Sequence, residues 1–275
     1  MTATLCLNLF CTQAFAAADI PIKQRLIPPV AGAHQGGIVV HLDPNTLERF
    51  KKARRAGVEV IETDLRVSKD GVAMIYHDES LNRWTWCKGK LRSKTAHQIQ
   101  KCRYKLTRHK IPTFEDVLKW AHGRVVINAE LKDSDVIGPT VAMIQKYKAH
   151  DWVYLQAKSD PDRYTKVREL DSRVALCFAP SNAQELNWAL AQDDDYLVVI
   201  EIHDNLRKKK YIQMIHDAGK LVSEDSWHLV FDQLEVLGAG CRATYKHGID
   251  IAISNRTTDC VRQKLEYQRK HQTLE

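Results

Sequence analysis

The sequence predicts an α/β fold: a (β/α)8 TIM barrel with an inserted hairpin and a small subdomain after strand 2. Three observations carry this. Strand-like and helix-like runs alternate, and a crossover separates neighbouring strands, as parallel pairing requires. Eight such units fit in about 250 residues, the usual span of the closed barrel. Acids and histidines fall at the C-terminal ends of strands, where such barrels keep their chemistry.

The chain has 275 residues, 44% hydrophobic and 27% charged, enough for one large core. Residues 1–18 carry no charged side chain, have an apolar core at Leu5–Phe10 and end in the cleavage pattern Ala14-Phe15-Ala16. They read as a signal peptide cut after Ala16 to Ala18, although a basic start is missing; a buried N-terminal helix is the alternative. Phe10 before Cys11 argues against a lipid anchor. The expectation is a periplasmic or secreted protein, with residues 19–275 as a single barrel domain. No later apolar run is long enough to span a bilayer. The net charge of +7 suits an anionic substrate or a membrane surface, and equally serves solubility.

The first strand ends at His34 and a glycine-rich loop. Asn45-Thr46 caps a helix over Leu47–Ala56, stopped by Gly57. Val58 to Asp78 then reads as a hairpin turned at Ser68-Lys69-Asp70-Gly71. Val58, Val60, Glu62 and Asp64 share one face; Ile61, Leu65 and Val67 share the other. A two-residue turn centred on Lys69-Asp70 sets His77 opposite Glu62. Acids at a strand end often merely face water. A strand apolar on both faces that ends in acids points instead to a site, because buried carboxylates need partners.

Residues 79–112 form a polar excursion too long for an ordinary loop, hence a lid or subdomain. Its Trp84 and Trp86 form either a lip over the site or its small core. Thr113 caps the next helix, with Glu115 and Asp116 in its first turn. On strand 124–132, Val126, Asn128, Glu130 and Lys132 form a face that becomes charged at its end. Further strands are expected at 152–156, 173–178, 196–202, 220–223 and 249–253. Helix starts fall at Ser134, Asp160-Pro161 and the capping box Ser181-x-x-Gln184. The run Arg207 to Lys210 reads as a solvated helix face. His203-Asp204 follows a strand and is a candidate substrate contact; His97, His109, His122, His216, His228 and His247 show no ligand spacing.

Five cysteines follow the leader, with no C-x-x-C, so zinc is not indicated. In an oxidising compartment Cys87–Cys102 closes a loop worth about 3 kcal/mol. Cys241–Cys260 is a weaker pairing, and Cys177 reads as a buried free thiol.

Glu62, Asp64 and Glu130 offer three hard oxygen ligands, which favour one divalent cation, Ca2+ or Mg2+. His34 and His77 suit a general acid and base. Lys132 adds a fixed positive charge. Together these fit attack on an anionic phosphoester.

At these residues the chain resembles the glycerophosphodiester phosphodiesterase family. The matching pieces are Ala33-His34-Gln35-Gly36-Gly37, Asn45-Thr46-Leu47, Glu62-Thr63-Asp64, Lys69-Asp70-Gly71, His77-Asp78-Glu79-Ser80-Leu81-Asn82-Arg83, Ile111 to Leu118 and Glu130-Leu131-Lys132. The match is strong over residues 31–132 and weaker through Gln156 to Gly248–Ser254. The resemblance implies a metal at Glu62, Asp64 and Glu130, an acid–base pair of His34 and His77, and substrate contacts at Gln35 and Lys132. It implies a small-molecule phosphodiester as partner, no nucleic acid, and release of glycerol 3-phosphate and an alcohol. The substrate's own glycerol hydroxyl is a candidate first nucleophile, giving a cyclic phosphate that water opens.

The chain departs from the family in three places. Gln35 stands where an arginine is usual, Pro44 replaces a glutamate, and Ser223-Glu224-Asp225-Ser226-Trp227 replaces an aromatic run. Two other readings therefore stay open: a related enzyme or phospholipase D-like lyase acting on a lysophospholipid or sugar phosphodiester, and a non-catalytic binding module.

Overall fold

The computed structural model describes residues 20–38, 41–226 and 240–272. The expected leader, Trp227 and His228 lie outside them. In chain order the elements are β1 (Val30–Ala33), α1 (Leu47–Ala56), β2 (Val60–Val67), β3 (Ala73–Ile75), α2 (Ala96–Lys101), α3 (Phe114–Ala121) and β4 (Val126–Leu131). Then come α4 (Ile137–Lys146), β5 (Val153–Gln156), α5 (Pro161–Leu170), β6 (Ala175–Phe178), α6 (Ala183–Leu190), β7 (Leu197–Glu201) and α7 (Lys209–Asp217). The described elements end with β8 (Leu221–Asp225), α8 (Gly240–Lys246), β9 (Ile251–Ser254) and α9 (Thr257–Gln272). All strands but β3 are parallel to their neighbours, and β1 bonds to both β9 and β2, which closes the eight-stranded barrel.

Local chemistry sets the ends of the helices. Thr46 accepts from the Arg49 amide at the start of α1, and Gly57 ends it at φ 98°. Asp160 caps α5 ahead of Pro161. Thr113 and Asp116 form a reciprocal capping box on α3. The cap of α6 is Asn182, one residue later than expected. Its carboxamide reaches the amides of Gln184 and Glu185, while Glu185 accepts from the Ser181 amide. The basic run Arg207 to Lys210, which leads into α7, is exposed except at Arg207, which pairs with the buried Glu224.

Two apolar layers hold the barrel. Val30, Val60, Val126, Tyr154, Cys177 and Ile251 fill its interior, and Ile20, Ile22 and Leu26 join them where the strands begin. Alternate residues such as Ile61, Leu65, Ile127 and Leu155 pack outward against the helices. This is the face division expected for β2, except that Val58, just ahead of the strand, packs outward.

The hairpin register differs from expectation by one residue. Ser68 and Val72 bracket a three-residue loop, and the pairs are Leu65–Ile75, Arg66–Met74 and Val67–Ala73. Gly71, at φ 77°, is the extra residue; glycine takes that left-handed conformation without steric penalty. His77 is therefore not the ladder partner of Glu62. The chain leaves β3 after Ile75 and bends at His77, which lies close enough to Asp64 to lower its pKa.

The excursion has its own cluster, with Tyr76, Leu81, Leu91, Ile99 and Tyr104 buried. Both expected disulfides are formed, Cys87–Cys102 and Cys241–Cys260, and Cys177 is a buried free thiol whose pKa burial pushes well up. Replacing Cys87 and Cys102 by serine together is expected to lower unfolding stability by about 3 kcal/mol, read as a lower denaturant midpoint with a slope that rises as the unfolded chain expands.

Candidate active site

Parallel pairing places Glu62 beside Asn128 and Asp64 beside Glu130, so acids two residues apart on β2 meet an acid on β4 at the same level. All three are buried, and each offers an oxygen within 4.8 Å of the others. This side of the barrel carries both histidines. His34 follows β1, with Nδ1 2.9 Å from Asn255 Oδ1 and Nε2 3.9 Å from Glu62 Oε2. His77 is more exposed, with Nδ1 2.7 Å from Asp78 Oδ1.

Crowded carboxylates need counter-charges and donors. Lys132 Nζ lies 2.5 Å from Glu130 Oε1 and 3.1 Å from Asp64 Oδ1. Lys158 Nζ lies 2.8 Å from Glu130 Oε2. Gln35 donates twice: its backbone amide to Glu62 Oε2 and its carboxamide to Asp64 Oδ2, both at 2.8 Å. Asn45 donates to the same Asp64 oxygen at 2.7 Å and accepts from the Thr63 hydroxyl. Gln35 and Asn45 both have left-handed backbone, φ 49° and 57°. The Asn45 amide bonds to the Gln35 carbonyl, so the two loops brace each other above β2.

The acids respond differently. Burial, then Asp64 and Glu130, push Glu62 well above the usual carboxylate range. Burial alone would raise Asp64 too, but Lys132, His77 and Asn45 outweigh it and hold its pKa low. Lys132 and Lys158 are desolvated, yet their acidic neighbours raise both. Burial lowers the pKa of His34 despite its bond to Asn255.

A divalent cation fits this set. The donors are all carboxylate oxygens, and Glu62 Oε1 is buried without a hydrogen-bond donor. Ca2+ and Mg2+ both take such ligands.

The structure brings His34, His77, Glu62, Asp64, Glu130, Gln35 and Lys132 together. Gln35, expected against substrate, uses its carboxamide on Asp64. Lys132 likewise bridges two acids. Four further contributors escape a reading of the sequence. Asn45 looks there like part of a helix cap, but the cap is Thr46. Lys158 has a signal: it follows Gln156 by two residues, as Lys132 follows Glu130 on the neighbouring strand. Asn255 and Asp78 are hidden because their roles depend on partners remote in sequence or on the bend after β3. Across the barrel, Glu201 and Asp225 end β7 and β8, and both raise the pKa of Lys158. Asp225 is pushed well up by burial and by Glu201. His203 lies 3.7 Å from Glu201, at the same end of the barrel.

A parallel barrel with an acid triad and two flanking histidines at its strand ends defines a candidate metal-dependent hydrolase. The chain matches the model of the Glycerophosphoryl diester phosphodiesterase family over residues 34–223, and it belongs to that family. It is 30% identical over 177 residues to the Probable glycerophosphodiester phosphodiesterase 2 of Mycobacterium tuberculosis, covering 60% of this chain and 66% of that protein. Matches to two further curated relatives span 40% and 47% of their lengths. Among solved structures, a glycerophosphoryl diester phosphodiesterase from Parabacteroides distasonis superposes with TM-score 0.77 at 19% identity, over 90% of this chain and 92% of that one. A phosphodiesterase from Oleispira antarctica, solved with the product sn-glycerol-3-phosphate, superposes with TM-score 0.68 at 19% identity, over 86% and 96%.

Because Glu62 has a raised pKa, the metal-free fold holds a proton that the unfolded chain has released above the ordinary carboxylate range. Stability of metal-free protein should then fall as pH rises from that range through the raised value. Glu62→Gln should remove this fall and melt higher than wild type in chelator. It should also lose the rise in melting temperature that Ca2+ or Mg2+ gives wild type. Thermal melts against pH and metal check all three.

Proposed function

We propose that this chain hydrolyses glycerophosphodiesters to glycerol 3-phosphate and an alcohol, with one divalent cation at Glu62, Asp64 and Glu130. The observation that carries the reading is the buried acid triad beside two histidines whose Nδ1 atoms are each tied to a second residue. Family membership and the glycerol 3-phosphate found in the Oleispira protein support the substrate class.

A bound Ca2+ or Mg2+ would neutralise phosphoryl oxygens and so favour attack on an anionic diester. The protein's own groups do the rest. His34, desolvated, donates through Nδ1 to Asn255 and in its neutral form keeps its lone pair on Nε2. It is the general base, taking the proton from the attacking oxygen. His77 holds Nδ1 against the Asp78 carboxylate, which fixes the ring and leaves Nε2 free to face the substrate. It is the general acid, giving its Nε2 proton to the departing alkoxide. The phosphorus–oxygen bond to the alcohol breaks as the new one forms. Lys132 and Lys158 hold Glu130 and keep positive charge beside the phosphate. Two disulfides suit an oxidising compartment and so support a periplasmic or secreted location.

Purified protein with Ca2+ or Mg2+ is expected to release glycerol 3-phosphate from glycerophosphocholine, and chelator should stop it. His34→Ala and His77→Ala should each lower kcat about 10²- to 10⁴-fold while the far-ultraviolet spectrum stays unchanged. Full activity in either variant would contradict acid–base roles for the two histidines, and turnover undiminished by chelator would contradict a role for the cation. A cyclic phosphate persisting by phosphorus NMR would favour the lyase reading.

A further inference from the structure

Residues 79–112 hold ten Lys and Arg against one acid, a net charge of +9, whereas the whole chain carries only +7. The rest of the protein is therefore slightly acidic, and its positive charge is concentrated on one subdomain. This segment starts two residues after His77. It is fastened to the barrel where Thr107 donates twice to Asp43 and where Arg92 pairs with Asp135.

The same segment exposes apolar surface. Trp86 is 65% exposed, and it is the exposed aromatic side chain among the described residues. Leu106 is 69% exposed, at the tip of the turn between Tyr104 and His109. The Cys87–Cys102 disulfide, with its Cα atoms 5.7 Å apart, draws two stretches of chain together. Trp86 and Lys88 flank one cysteine; Lys101 and Arg103 flank the other. Lys88 and Lys101 are exposed, and no described acid pairs with either. Trp84, beside them, packs into the subdomain cluster with the Arg83 guanidinium 4.7 Å from its ring. Of the two tryptophans, one is core and the other faces outward.

From this juxtaposition of an exposed indole, an exposed leucine and unpaired lysines, we infer that the inserted subdomain docks on an anionic phospholipid surface. Indole rings settle at the boundary of headgroup and acyl chain, with lysine stems alongside and their charges at the headgroups. Clustered Lys and Arg then add electrostatic attraction to anionic lipid. An aliphatic turn tip beside a single indole suits that boundary better than a platform for stacked bases, which uses successive aromatic rings. Docking there would hold the mouth beside His77 close to the lipid surface.

The test uses the whole protein and reads binding without turnover, so its failure is separate from failure of the proposed function. Wild-type protein is sedimented with phosphatidylcholine vesicles with and without phosphatidylglycerol. Binding is expected only with the anionic lipid and should fall as salt rises. Lys88→Gln with Lys101→Gln should lower the partition coefficient about 25-fold, roughly fivefold per charge. Brominated lipid should quench wild-type fluorescence, and Trp86→Phe should lose that quenching. Activity on soluble glycerophosphocholine should stay unchanged in every variant. Equal binding to neutral vesicles, wild-type partitioning of the double variant, quenching retained without Trp86, or binding to an oligonucleotide but not to vesicles would each overturn the inference.

Discussion

The structure around the barrel mouth depends on one constraint: three buried carboxylates from two neighbouring strands share a space less than 5 Å across. In water their repulsion would be modest, but burial magnifies it. Nearly every unusual feature nearby answers that problem. Two lysines reach in from the loops after β4 and β5, and a backbone amide and two carboxamides point at the remaining oxygens. Gln35 and Asn45 adopt left-handed backbone to do so. The compensation is incomplete: one Glu62 oxygen has no donor, and that carboxyl is pushed towards its neutral form. A divalent cation held by the three acids would offset the remaining negative charge.

The same constraint makes Gln35 understandable. Its carboxamide is an uncharged brace for Asp64 and brings no further positive charge. Lys158 supplies a cation from the opposite side, between Glu130 and the acids at the ends of β7 and β8. The positive charge facing a substrate would then come from β5 as well as β4. The electrostatics of the mouth are shared around the barrel, which explains how residues distant in sequence shift one another's proton affinity.

Much of this was legible in the sequence because parallel barrel strands carry a strict alternation. Val60, Glu62 and Asp64 had to share a face, and so did Val126, Asn128 and Glu130; their meeting followed from neighbouring strands in a barrel. The crossover pattern, most helix caps and the Cys87–Cys102 disulfide were readable for similarly local reasons, whereas Cys241–Cys260 was only weakly indicated. What was not legible depended on backbone conformations that sequence leaves open. Gly71 allows both a two-residue turn and a three-residue loop, and only the second occurs, which shifts the ladder by one. His77 reaches the site through a bend rather than through pairing. Asn45 looks like a cap because Asn and Thr both cap well, and Asn255 gives no signal that it will meet a residue 221 positions earlier.

The chemistry and the electrostatics both rest on Glu62, Asp64 and Glu130 forming one cation site that orders the mouth of the barrel. A crystal structure of the protein soaked with Ca2+ and glycerol 3-phosphate, with anomalous data, tests this most directly. One peak is expected, bonded to oxygens of all three acids at about 2.3–2.6 Å, with phosphate oxygens also reaching it. A cation held elsewhere, or a phosphate bound in the mouth while the three acids hold no metal, would contradict it.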